Sequence, residues 1–218
     1  MGESLTSDQV RNKSVAVMPA PLGEIHHWLN DELAWLHIKW SDFRRLYATS
    51  QERVDLLNAA APAFFHQLQQ LIWEDVLLHL CRITDPIKSM GHDNLTIMRI
   101  PDAIPDPALR DAVKALVGDA KQKTQFAREW RNRRLAHQEL PASQGQVAAP
   151  LPLASRQNVE EALAAVRKAM NCIERHYLNE SVLYENSIEA LGGVETLVAR
   201  LTKGIRLEKA EREKKLRG

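Results

Sequence analysis

The stretch Ile25–Tyr47, IHHWLNDELAWLHIKWSDFRRLY, decides the fold class. Ile25, Leu29, Leu33, Leu36, Trp40, Phe43 and Tyr47 follow one another by threes and fours. At about 100° per residue this is one apolar stripe sustained over about six turns, the mark of a long amphipathic helix. Ser50 then has the chemistry to cap a short helix running to Asn58.

Working outward, the same period recurs. A second long helix should start at Pro62, since proline is tolerated in a first turn. Its stripe is Phe65, Leu68, Ile72, Val76, Leu80 and Ile83, and it should stop before Pro86. Residues 85–107 contain four prolines and one glycine and read as a connector with one helical turn near Leu95–Met98. Asp106-Pro107 is a helix start, a capping carboxylate followed by a first-turn proline. The third helix is expected to run unbroken from Leu109 to His137. Residues 139–154 have three prolines, one glycine and no period, so they form a loop. Ser155 caps a fourth helix with the stripe Val159, Leu163, Val166, Met170, Ile173 and Tyr177. Gly192-Gly193 breaks the pattern before a last helix that ends in a basic tail.

No segment alternates as a strand does. The expected fold is all-α, a bundle of four long helices with short additional helices and an extra C-terminal helix. Residues 1–20 read as a loose tail, 21–180 as the helical domain and 181–218 as the C-terminal helix and basic tail.

The 218 residues carry 29 Lys+Arg against 28 Asp+Glu, so net charge makes no case for nucleic acid and any case must be local. No run approaches the roughly 20 apolar residues of a spanning helix, and the polar N-terminus lacks the apolar core of a secretory leader. The expectation is a cytoplasmic protein away from membranes. Cys81 and Cys172 lie within apolar helical patterns and are expected to be buried thiols. Glu24 and His27 make one Glu-x-x-His unit where a di-iron bundle needs two, and the other histidines lack ligand spacing, so neither metal nor cofactor is expected.

Charge does cluster in Lys121–His137, KQKTQFAREWRNRRLAH, with six basic residues against one Glu. On a wheel with Leu109 at zero, Val113, Leu116, Ala120 and Ala127 fall within about 40° of it. Arg134 follows at about −20°, Arg131 at about +40°, Trp130 at about −60° and His137 at about −80°. Two guanidiniums and an imidazole thus emerge on the inward stripe, where a cleft, a partner subunit or an anion must meet them. Asn132, at about 140°, points elsewhere and suits a structural role.

Arg131-Asn132-Arg133-Arg134-Leu135-Ala136-His137 resembles the Arg–polar–four residues–His signature of the HEPN superfamily. The upstream stretch LHLCRITDPIKSMGHDNLTI, Leu78 to Ile97, resembles the abortive-infection, AbiU-type branch, with its Arg-x-x-Asp-Pro segment, polar connector and Asn-Leu-Thr turn. The resemblance spans roughly Gly23 to Tyr177. It implies a metal-independent endoribonuclease acting on RNA at a homodimer cleft, in phage defence or a toxin–antitoxin system with an antitoxin or regulatory protein. Arg131 and His137 would be the catalytic pair. Arg134, Trp130 and Asn132 would contact RNA or its phosphates, and Arg82 and Asp85 would shape the cleft. Residue chemistry agrees with those roles: imidazole titrates near neutrality and guanidinium grips phosphate bidentately. By themselves, Arg82 and Asp85 also read as an exposed salt bridge closing the second helix. The alternative function is a non-catalytic HEPN-like dimer that binds RNA, nucleotide or a protein partner.

Overall fold

A computed structural model describes residues 7–135, 154–185 and 192–217. The described chain is almost entirely helical, as the periodicities require: α1 Ser7–Val17, α2 Leu22–Tyr47, α3 Gln51–Ala60, α4 Pro62–Ile83, α5 Pro107–Lys123, α6 Gln125–Trp130, α7 Arg156–Leu178 and α8 Val194–Arg217. Among the described residues, the one sheet is a hairpin of two-residue strands, β1 Lys88–Ser89 and β2 His92–Asp93, paired antiparallel.

The helix starts obey local chemistry. The Ser50 hydroxyl accepts from the Arg53 amide, and Asp106 accepts from the Ala108 amide with Pro107 at the first turn. Ser155 and Asn158 form a reciprocal capping box at α7. No helix among the described residues is long and apolar enough to cross a membrane.

The chain divides into two compact units. The first takes residues 1–37 and 76–184. Its core combines Leu29, Leu33 and Leu36 of α2, Leu77 and Leu80 of α4, Val113 and Val117 of α5, and the stripe Val159, Leu163, Val166, Met170 and Ile173 of α7. The second takes residues 38–75 and 185–218. Here Leu46, Leu57, Phe65 and Val194 form a core, covered by Tyr47, Leu68, Ile72, Val198 and Leu201. The apolar start of α8 therefore belongs with the middle of the chain, because Val194, Val198 and Leu201 recur at helical spacing on one face. An Arg53–Glu195 ion pair at 3.0 Å ties α3 to α8.

Three expectations are corrected. Residues 7–17 are a helix rather than a loose tail. Ser14 and Met18 are buried, and a Cβ on Gly23 would stand 2.8 Å from the Val15 Cα, so α1 lies directly against the start of α2. Cys81 is buried as expected, but Cys172 is only half-buried. The third helix is not continuous. It breaks at Thr124 (φ −93°, ψ 1°), restarts as α6, and widens into a π turn over Arg131–Leu135. A π turn closes i→i+5 hydrogen bonds, so a uniform wheel loses its phase beyond Thr124.

Candidate functional site

The site grows from the end of α4. Helix ends leave carbonyls without partners, and Pro86 forbids another turn. Here each orphan finds a donor. The Thr84 amide bonds the Cys81 carbonyl at 3.1 Å, and the Thr84 hydroxyl reaches the Leu80 carbonyl at 2.7 Å. The Thr96 hydroxyl lies between the carbonyls of Ile83 (3.1 Å) and Asp85 (2.8 Å). The Thr84 carbonyl accepts from Arg128 Nη2 at 2.8 Å.

The connector is fastened to the same spot. Asn94 donates to the Pro86 carbonyl at 2.8 Å, and Arg99 donates to the Ile87 carbonyl at 3.1 Å and to Asp93 at 2.6 Å. The Asn94-Leu95-Thr96 turn is thus the clasp that fixes residues 84–87.

Asp85 is the consequence. Its carboxylate sits just past a helix C-terminus, where the dipole disfavours negative charge. Two cations from the other side compensate it. Arg131 Nη1 donates to Oδ1 at 2.9 Å and Oδ2 at 2.8 Å, and Arg128 Nη2 stands 3.5 Å from Oδ1. The three side chains are 15–28% exposed, so this is a partly buried cluster at the surface with two positive charges on one negative. Arg131 Nε bonds the Asn132 side chain at 3.2 Å, and Arg131 Nη2 makes no hydrogen bond among the described residues. Beneath the cluster, burial pushes the Cys81 thiol up to about 11, opposed by the charges of Arg131 and Arg128.

The Thr124 break serves this arrangement. Its hydroxyl meets the Thr84 hydroxyl at 3.0 Å in the interior, pinning the α5–α6 junction to the end of α4. Arg128 and Arg131, one turn and two turns later, then face Asp85.

Of the residues expected in the site, Arg131 and Asp85 come together. Arg82 does not join them or pair with Asp85. It is exposed and pairs with Glu32, whose Oε2 is also 2.9 Å from His79 Nε2. The cause is the tight turn at Thr84-Asp85, which takes Asp85 off the face Arg82 occupies. Asn132 is exposed and braces Arg131. Trp130 is half-buried. Arg134 contributes backbone to the π turn, but its side chain lies outside the described residues, as does all of His137. The reading of sequence missed Arg128, Thr84 and Thr124. The available signal was the i, i+3 spacing of Arg128 and Arg131, a pair of cations on one helical face. Among the described residues no cluster of three or more His, Cys, Asp or Glu is arranged to hold a metal.

A family model described as AbiU2, of the HEPN group, matches residues 20–190. No curated protein and no solved structure matches the chain.

Proposed function

Because the chain belongs to the AbiU2 family of HEPN proteins, an abortive-infection type, we propose that it is a metal-independent endoribonuclease that works as a homodimer. The observation that carries this reading is the Arg131–Asp85 pair. The motif arginine is held by a carboxylate through one nitrogen, leaving Nη2 available to phosphate.

In the proposed reaction the 2′-oxygen of RNA attacks the adjacent phosphorus and its proton passes to His137. The bond from phosphorus to the 5′-oxygen breaks, and that oxygen takes a proton from the His137 of the second copy. The products are a 2′,3′-cyclic phosphate and a 5′-hydroxyl. Arg131 holds the phosphate and stabilises the charge on the phosphorane. A two-fold interface supplies both histidines, since each chain brings one. Arg134, Trp130 and Asn132 are the neighbouring candidates for RNA contact, and an antitoxin or other regulatory protein is the expected restraint.

The test is incubation of the purified protein with end-labelled RNA in EDTA, beside His137→Ala and Arg131→Ala. Cleavage to cyclic-phosphate ends by the wild type, lost in both variants, is expected. Intact RNA with a wild-type dimer overturns the nuclease reading. It would favour the alternative of a non-catalytic dimer, a reading that Asp85's existing grip on Arg131 also suits.

A further inference from the structure

The first unit contains a second polar centre, remote in sequence from the Arg131 motif. A cavity of about 230 Å³ is lined by Lys13 and Ser14 of α1, His26 and Asn30 of α2, Glu174 and Leu178 of α7, and Glu180 and Val182 beyond it. Glu174 is 1% exposed and His26 3%. A carboxylate at that depth is costly unless its charge is balanced.

The balance is incomplete. Glu174 Oε2 accepts from the Val182 amide at 3.0 Å, and Oε1 is 3.1 Å from the Tyr184 hydroxyl. That hydroxyl also lies 2.6 Å from Asn30 Oδ1. One phenolic proton is therefore shared between two acceptors. The phenol is itself held well above its usual range by burial and by the Glu174 charge, so it stays protonated. His26 Nε2 lies 3.3 Å from Glu174 Oε1 without the alignment of a hydrogen bond, and neither of its ring nitrogens has a hydrogen-bond partner among the described residues. The nearest ammonium, Lys13, is committed to both oxygens of Glu180 at 2.7 Å.

The cavity thus has one buried carboxylate, Glu174, that no Lys or Arg meets among the described residues, while Glu180 at its exposed end is already met by Lys13. Leu178 and Val182 give it apolar wall. We propose that this cavity binds a short aliphatic primary amine, its ammonium donating to Glu174, Asn30 and His26 and its methylenes lying on Leu178 and Val182. The volume lies just below that of ordinary ligand pockets, which selects a small molecule.

The probe is 1-aminobutane, titrated calorimetrically into the full-length protein, with butyrate as the anionic control. Saturable binding of one amine per chain and a raised Tm are expected, with none for butyrate. Glu174→Gln keeps the side-chain shape and should weaken binding at least about tenfold. Val182→Trp, at a site 38% exposed, should fill the cavity and abolish binding. Absence of saturable amine binding at millimolar concentration overturns the proposal. Equal binding of butyrate, or undiminished binding by Val182→Trp, overturns it as well. None of these readouts depends on RNA cleavage.

Discussion

Arg131 reaches both oxygens of Asp85 through the single nitrogen Nη1, at 2.9 and 2.8 Å. The other terminal nitrogen stays out of the pair, so the carboxylate orients the guanidinium without consuming it. Arg128 stands beside the same carboxylate and is spent differently. Its Nη2 is bound to the Thr84 carbonyl and hydroxyl, and its Nη1 is buried without a hydrogen-bond partner among the described residues.

Asp85→Asn should therefore lower both stability and cleavage. The loss of a charge-assisted pair is expected to cost about 1.5–3 kcal/mol, read as a shift in the urea midpoint. RNA cleavage should fall at least about tenfold as Arg131 loses its orientation, while Arg131→Ala should abolish it. An Asp85→Asn protein that cleaves faster than wild type would mean that the carboxylate blocks the phosphate site.

Gly23→Ala should destabilise the protein by about 1–3 kcal/mol through overpacking, because its methyl group would meet the backbone of Ser14 and Val15, which cannot swing aside. Gly118→Ala is the control. No atom lies within 4 Å of its added methyl and it sits inside α5, so a gain of about 0.5–1 kcal/mol is expected. Denaturant titration of both variants decides it, and equal midpoints would remove α1 from the folded unit.

Alkali should unfold the protein early. Burial raises Tyr47 from 10.0 to about 12 and Cys81 from 9.0 to about 11. Between each pair of values the folded chain keeps a proton that the unfolded chain has released. Stability is therefore full below about pH 9 and falls as pH rises through 9 to 12. Urea midpoints should decline over that range, and less steeply above pH 10 in Tyr47→Phe. A flat profile to pH 11 would contradict the burial of these groups.

A chain ending after Ile205 keeps Val194, Val198 and Leu201, which anchor α8, and sheds an exposed segment with six Lys and Arg. Its thermal midpoint should match that of the full chain. If the segment follows RNA, affinity should drop and the slope against salt should become shallower by about one for each lost phosphate contact. Unchanged RNA binding would reduce the segment to a solvated helix.

The long helices were legible because apolar spacing is a property of single segments. Leu29 to Phe43 and Val159 to Ile173 announce their buried faces without reference to anything else. The break at Thr124 was not legible, because it is held by a hydroxyl of Thr84, forty residues earlier. The partner of Arg131 was half legible. Asp85 stood out as the residue before a helix-ending proline, yet nothing local chose between Arg82 and Arg131 as its counter-charge. Glu174 was hidden for the opposite reason. It directly follows the buried Ile173 in a helix otherwise rich in surface charge, and only the fold reveals that it faces inward.

The junction at Thr124 makes the chain unequally tolerant of length change. An extra residue between Thr124 and Arg131 would rotate the arginine by about 100° and strip Asp85 of its companion. An extra residue at the exposed tip of the hairpin, Met90-Gly91, would leave the two interior hydroxyls where they are, and the helix beyond them would keep its bearing. Insertions and deletions should thus be tolerated at the hairpin tip and purged between Thr124 and Arg131.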